Sequence, residues 1–366
     1  MLDRFKHKEE ALVRIPENAL RETVISIFEN MGVPQNDSCL AADVLVSADL
    51  RGVESHGVSN MLRMYVQGYQ QGEIKPEPQW QIIRETPSTA SINCDTGLGI
   101  IIAPKAMEIA IEKASNVGVG MVTMNNGRHL GMASYHAMLA LKHDMIGLCL
   151  TSTPPVTYPT FGAEVRLGTN PIALAAPADK EVPFVFDAAT SVVAVNKLGL
   201  ARRLGIKLPS GWIADADGTP IMEEVTPPSV LGSERIGQSP LLPLGSNREM
   251  SSHKGYGLGC IVEILSGILT GGGFGIKVGR PNFNHYVAVY SIEAFMDTKE
   301  FKQTMDEFLQ TLKSTKPATG HERVLYPGLP EAECEIEYRS KGIPLHPEVV
   351  DWIKNTCNGL SIKCSL

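Results

Sequence analysis

The chain has 366 residues, 43% of them hydrophobic and 20% charged, which is enough for two domains and a sizeable core and excludes disordered and fibrous classes. Forty acidic against 33 basic side chains leave a net charge of −7, so no bulk attraction draws it to nucleic acid or to an anionic membrane surface. Seven cysteines, an odd number with no CxxC pair, make neither a zinc array nor a disulfide framework; with a charged N-terminus that lacks a signal-like apolar run, they point to a reducing, cytoplasmic setting.

In chain order, the apolar spacing predicts a helix over Asn18 to Met31, ended by Gly32 and Pro34, and a second from Asn36 or Asp37 as cap to Asp49. A third helical stretch follows Gly57. From Pro76 the texture becomes α/β: strands near Trp80 to Ile83, Thr89 to Asn93, Gly120 to Met124, Ile146 to Thr151, Phe184 to Phe186 and Tyr286 to Tyr290, with helices over Pro104 to Asn116 and Leu130 to His143. Between Gly205 and Gly245 Pro and Gly punctuate a long segment without periodicity, which reads as a lid, a dimer arm or disorder. Lys254 to Thr270 reads as a long buried helix, its central Glu263 and terminal glycines arguing against a membrane span, and further helices are expected near Phe301 to Leu312 and His346 to Asn355. The expected organisation is a helical domain over 1–75, a mixed-sheet region over 76–300 and a C-terminal segment over 301–366 that packs back on the helical domain.

Familiar signatures are missing: there is no G-x-G-x-x-G, no P-loop, no H-E-x-x-H and no G-x-S-x-G. Four clusters carry chemistry instead. The first, Asp49 to Gly57, sets His56 beside Ser55 with Arg51 before them and Arg63 and Tyr65 after; histidine exchanges protons near neutrality and arginine clamps carboxylates, although Ser55 and His56 also suit a plain helix start. The second, Asn125 to Gly131, presents His129 at a strand-to-helix turn, where helix amides favour an anion. The third pairs Leu167 to Pro171 with Asp187 to Ser191, offering Asp187 to ribose or water and Thr190 and Lys197 to an anionic substrate, with helix capping the blander alternative. The fourth, Ser251 to Gly257, opens the long helix with serines and Lys254 as a phosphate site, or with glycines for tight packing.

In this order the four segments resemble the malate/L-lactate dehydrogenase family, which also contains sulfolactate, ureidoglycolate and piperideine-carboxylate oxidoreductases and is unrelated to the Rossmann dehydrogenases. The strings Arg51-Gly52-Val53-Glu54-Ser55-His56-Gly57 and Gly168-Thr169-Asn170-Pro171 are the specific ones. The resemblance implies a non-Rossmann fold with a mixed, largely antiparallel sheet, a homodimer, and NAD- or NADP-dependent interconversion of a 2-oxo acid and an L-2-hydroxy acid. It implies His56 and His129 as proton-transfer or substrate groups, with Ser55 orienting His56. It also implies cofactor contacts at His129, Leu130, Gly131, Met132, Ser152, Asp187, Ala188, Ala189, Leu242, Pro243, Leu244, Gly245 and Gly272, and substrate-side positions at Thr169 and Thr190.

Two departures from the family pattern stand out. The arginine four residues after the Ser-His histidine and the tyrosine eight after it are replaced by Asn60 and Met64, while Arg63 and Tyr65 come at seven and nine, as if one residue were inserted. Carboxylate binding then falls to Arg63. Lys197 stands where the piperideine-carboxylate branch has an aspartate; a cation there suits a second anionic group and favours oxaloacetate and L-malate over an imine. L-lactate, sulfolactate and ureidoglycolate dehydrogenases and an imino-acid reductase of the same family stay open as alternatives, as does, from another class, a nucleotide-binding regulatory protein without turnover. The chemistry needs no metal, since hydride transfer belongs to the cofactor and positioning to the protein.

Overall fold

The computed structural model describes Phe5 and residues 12–227, 241–279 and 281–366; residues 228–240 of the long Pro/Gly segment lie outside the described residues. Strand β1 (Val13–Ile15) leads into α1 (Glu17–Asn30) and α2 (Gln35–Leu50). Leu20, Val24, Ile27 and Phe28 on α1 and Ala41, Val44, Leu45 and Ala48 on α2 are fully buried, the recurrence that lets two helices share one core. The cap expected at Asn36 or Asp37 is not formed. Pro34 precedes α2 without a side-chain cap, and Asp37 in the first turn instead accepts from Lys105 Nζ at 2.6 Å. A 3₁₀ turn (Glu54–His56) and a π-helical turn (Val58–Leu62) connect α2 to α3 (Arg63–Gln70).

The central sheet is built from β2 (Gln81–Glu85), β3 (Thr89–Asn93), β4 (Val119–Gly127), β5 (Met145–Ser152), β6 (Ile172–Ala176), β7 (Phe184–Ala188) and β8 (Phe283–Ser291). Its order is β2-β3-β4-β8-β5-β6-β7, and only the β3/β4 pair is parallel. The mixed, mostly antiparallel sheet expected from the resemblance is therefore the observed one. Helices α4 (Gly99–Val117) and α5 (Ala133–Met138), with the 3₁₀ turn Leu139–His143 after it, cover one face. They sit close. A Cβ on Gly120 would lie 1.9 Å from the carbonyl of Ala110, and one on Gly147 2.1 Å from that of Ala137, so any side chain at either position would push a helix off the sheet. Pro104, expected to open α4, lies inside it; removing one amide donor so near the start leaves the helix intact.

The other face carries α7 (Ser252–Val262) and its π-helical continuation Glu263–Ile268, where Val262 packs on Leu150, Tyr286 and Ala288. Helix α6 (Asn196–Leu204) precedes α7, and the short α8 (Gly275–Val278) follows the glycine run. After α9 (Thr298–Lys313) and α10 (Leu329–Lys341), strand β9 (Ile343–Leu345) pairs antiparallel with β1, and α11 (Pro347–Gly359) buries Val349, Val350 and Ile353 in the core of α1 and α2. Among the described residues no helix is long and apolar enough to cross a membrane.

Candidate active site

The turn that carries His56 is held by a buried carboxylate. Asp49, in the last turn of α2, accepts the Val58 amide at 2.7 Å, and a Cβ on Gly57 would sit 2.1 Å from Asp49 Oδ1, so only glycine lets the chain pass. Ser55 Oγ then stands 2.9 Å from His56 Nδ1. The residue that looked inserted is taken up by the π-helical turn at Val58–Leu62, which widens the helix locally by one residue. Tyr65 thereby points its hydroxyl at His129 Nδ1, 2.8 Å away.

His129 lies in the loop between β4 and α5, the strand-to-helix turn expected for it, with the helix opening at Ala133 instead of Leu130. Its ring stacks on that of His56 at 5.7 Å and 16°, and Phe283 meets it edge-on at 5.3 Å. The Gly131 amide donates to His129 Nδ1 at 3.0 Å. A backbone N–H can only donate, so Nδ1 carries no proton, Tyr65 must donate as well, and the neutral ring bears its hydrogen on Nε2. Burial holds the Tyr65 hydroxyl well above its ordinary 10.0, so this donor stays protonated.

Helix α6 closes the other side. Asn196 Nδ2 donates to the Ser55 carbonyl at 2.7 Å, which fixes the start of α6 against the His56 turn. The next residue, Lys197, has no carboxylate within ion-pair distance among the described residues; its Nζ lies 5.9 Å from the centre of the Phe5 ring. Burial lowers the Lys197 ammonium from 10.5, and burial followed by the charge of Lys197 pushes His56 down from 6.5 to about 4. The site therefore pairs a neutral histidine with a cation lacking a counter-charge.

The two arginines expected to clamp a carboxylate are engaged elsewhere. Arg51 is 7% exposed and bonded to Glu335 Oε2 at 3.0 Å, and Arg63 pairs with Glu348 at 2.6 Å while stacking over Trp352. Two residues apart on a helix means about 200° of rotation, so with Tyr65 turned to His129, Arg63 faces the C-terminal helix. Thr190 Oγ1 is 3.1 Å from both the Thr169 and Asn170 carbonyls, and Thr169 donates its amide to Thr153 Oγ1 at 2.9 Å, so these threonines brace the Gly168–Pro171 turn. Asp187 accepts the Ser134 amide at 2.7 Å and thereby occupies the α5 helix start that had been read as an anion site; burial raises its carboxyl to about 6. Lys254 is exposed on the first turn of α7, and Ser252 Oγ meets Thr160 Oγ1 at 3.1 Å. Leu130 and Met132 are core residues.

The remaining segments expected to meet a nicotinamide cofactor are contiguous. Leu244 donates its amide to the Thr190 carbonyl at 2.9 Å, and Ser152 Oγ donates to Glu263 at 2.8 Å. Glu263 also accepts Asn170 Nδ2 and the Gly275 amide, each at 2.8 Å, which ties the end of β5, the Gly168–Pro171 turn and the glycine run together. At that run the chain suits a group that needs room and a donor. A Cβ on Gly272 would fall 2.4 Å from Asn284 Oδ1, and Asn284 Nδ2 is a buried donor with no partner among the described residues. Sequence spacing did not single out Asn196, Phe283, Phe5 or Asp49. The polar Asn196 closing the run Val192 to Val195 was the one signal available.

The buried histidines set an acid limit on stability. His56 and His136 are held at about 4 and His285 at about 3, chiefly by burial, against an ordinary 6.5. As pH falls below 6.5 the unfolded chain protonates all three and the folded chain does not, so each loses stability in that window. Asp187 and Asp49, both raised from 3.8 by burial, act with the opposite sign because the folded chain keeps protons that the unfolded one releases. Three groups against two leave a net uptake of about one proton on unfolding, or about 1.4 kcal/mol lost per pH unit between about pH 6 and 4.5. Urea unfolding across that range should show the decline; a flat or rising stability contradicts it.

Comparison with known proteins identifies the family and the fold. Residues 15–354 match the model of the family described as malate/L-lactate dehydrogenase. The chain is 40% identical to a malate dehydrogenase of Pyrococcus abyssi, covering 97% of each chain, and 38% identical to an L-sulfolactate dehydrogenase of Methanocaldococcus jannaschii, covering 95% of this chain and 97% of the other. The crystal structure of malate dehydrogenase from Entamoeba histolytica superposes with a TM-score of 0.91 at 31% identity, over 96% of this chain and 99% of that one. The family match and these likenesses run along nearly the whole length: the chain belongs to the malate/L-lactate dehydrogenase family.

Proposed function

We propose that the protein interconverts oxaloacetate and L-malate with NAD or NADP, and that the single observation carrying the substrate assignment is Lys197, a partly buried cation without a counter-charge among the described residues, beside the His56–His129 stack. A 2-oxo acid whose one carboxylate stays beside its carbonyl at the histidine stack leaves that cation unpaired; the second carboxylate of a diacid matches it. The sulfonate of sulfolactate is anionic at the same end, which makes L-sulfolactate the second reading.

Ser152, the Asp187 to Ala189 segment, Leu242 to Gly245 and the run at Gly272 would hold the cofactor, whose nicotinamide supplies or takes up the hydride at C2 of the substrate. The protein moves the proton. In oxidation, neutral His56 accepts the hydroxyl proton of malate, and in reduction His56 returns it to the oxygen that develops charge as the carbonyl is reduced. A proton arriving on His56 opposes the charge of Lys197, so a substrate carboxylate seated on Lys197 raises the basicity of His56 at the moment it is used. Ser55 holds the ring by Nδ1. His129 has Nδ1 capped by two donors, so it acts as a neutral Nε2–H donor to the substrate oxygen and leaves proton carriage to His56.

The test is turnover: oxaloacetate with reduced nicotinamide should yield L-malate. Nucleotide binding with no turnover of any 2-oxo acid overturns the reading and favours a regulatory protein.

We further propose a homodimer. Leu258, Ile261, Ile264 and Ile268 form a stripe of exposed residues at helical spacing on α7 and its continuation, with Leu269 and Ile276 exposed beyond it. The opposite side of this helix already packs on the sheet, and a helix apolar on both sides is one covered on both sides. Ile261→Glu combined with Ile264→Glu should give a monomer by light scattering where the parent is a dimer; an unchanged mass contradicts the assignment of this face.

A further inference from the structure

Lys197 is walled by an aromatic residue from the far end of the chain. Phe5 is fully buried and stacks on Trp212 with ring centres 5.4 Å apart and an interplanar angle of 14°; Lys197 Nζ stands 5.9 Å from the centre of the same ring. Val193, Leu198, Leu200 and Leu208 belong to the same apolar cluster, so among the described residues the surroundings of this ammonium on the Phe5 side are hydrocarbon.

A ring face attracts a cation but cannot neutralise it. What it does is exclude water, which leaves the ammonium poorly solvated and therefore strongly attracted to any anion that reaches it from the open side. The same exclusion penalises a substrate that brings no second anion, because the ammonium then loses the water that would otherwise solvate it. Helix α6 fixes the geometry: Asn196 is bonded to the Ser55 carbonyl at 2.7 Å, so the lysine that follows it cannot drift from the His56 turn.

We propose that Phe5 is a specificity-determining residue, whose ring shields the Lys197 ammonium from water and so selects 2-oxo acids with a second anionic group over monocarboxylates. This rests on the assignment of Lys197 as the cation for the distal carboxylate. The ring touches neither histidine stack nor cofactor segment in the contacts above, so its effect is confined to the distal end of the substrate.

The test compares Phe5→Leu and Phe5→Ala with the parent enzyme, measuring kcat and KM for oxaloacetate and for pyruvate. Phe5→Leu keeps an apolar filler without a ring face and should lower the oxaloacetate-to-pyruvate ratio of kcat/KM about threefold; Phe5→Ala admits water and should lower it about tenfold, through a higher KM for oxaloacetate and a lower KM for pyruvate. An unchanged ratio in Phe5→Ala, or equal losses on both substrates, overturns the role of Phe5 while leaving Lys197 in place. A parent enzyme with no preference for oxaloacetate overturns the reading of Lys197 and this inference with it.

Discussion

Replacing His56 with alanine should lower kcat for oxaloacetate reduction by about a thousandfold while leaving the dissociation constant of the reduced nucleotide within about twofold. The size follows from the role: general acid or base catalysis by a positioned side chain contributes on the order of 10²–10⁴. The selectivity follows from the geometry. His56 contacts Ser55 and His129, whereas the segments proposed to hold the nucleotide run through Ser152, Leu244 and Gly272. His129→Ala should cost less, on the order of a hundredfold, because a neutral donor stabilises charge without carrying the proton. Equal nucleotide affinity with full turnover in His56→Ala would remove it from the chemistry.

Lys197→Met should produce the second largest effect, and it should be directional. Methionine keeps the length and the apolar contact with Phe5 and deletes the charge. Removing one partner of a charge pair formed inside a site costs about 2–5 kcal/mol, so kcat/KM for oxaloacetate should fall about a hundredfold or more. Pyruvate brings no partner for the ammonium, and its kcat/KM should hold or rise. A parallel loss on both substrates would mean that Lys197 positions α6 and does not read the distal carboxylate. The neighbouring ion pairs make that distinction accessible. Arg203 is tied to Glu54 at 3.0 Å, so α6 keeps an anchor on the His56 turn that is independent of the lysine.

Much of this could be read from the sequence, and the exceptions have physical reasons. Strand β3 and helices α1 and α9 show their periods because one face of each is buried and the other is not. Strand β6, Ile-Ala-Leu-Ala-Ala, has a single β-branched residue, Ile172, among alanines that do not mark a strand, and its place is set by pairing with β5 and β7. Strands β1 and β9 have three residues each, too few for a period to register, yet their pairing joins the two ends of the chain. Helix α10 is rich in glutamate, with only Leu329 fully buried, so no apolar stripe announces it.

At the site, Ser55, His56, His129 and Lys197 were visible as residue types at breaks between elements. The direction of a side chain was not. Arg63 and Tyr65 read as partners because they are near in sequence, and the helix turns them to opposite sides. Phe283 and Phe5 carry no local signal, and Asn196 only that of a polar residue closing the run Val192 to Val195, since each acts through contacts with residues far away in the chain.

The most direct test of the account is the titration of the His56 imidazole by NMR, assigned by comparison with His56→Gln, in the free protein and with malonate present. The account predicts a midpoint near 4 in the free protein, far below 6.5, and an upward movement when the dianion neutralises Lys197. A midpoint at or above 6.5 in the free protein would contradict burial and the Lys197 charge as what holds His56 neutral, and one that does not respond to the dianion would remove Lys197 from the chemistry of His56.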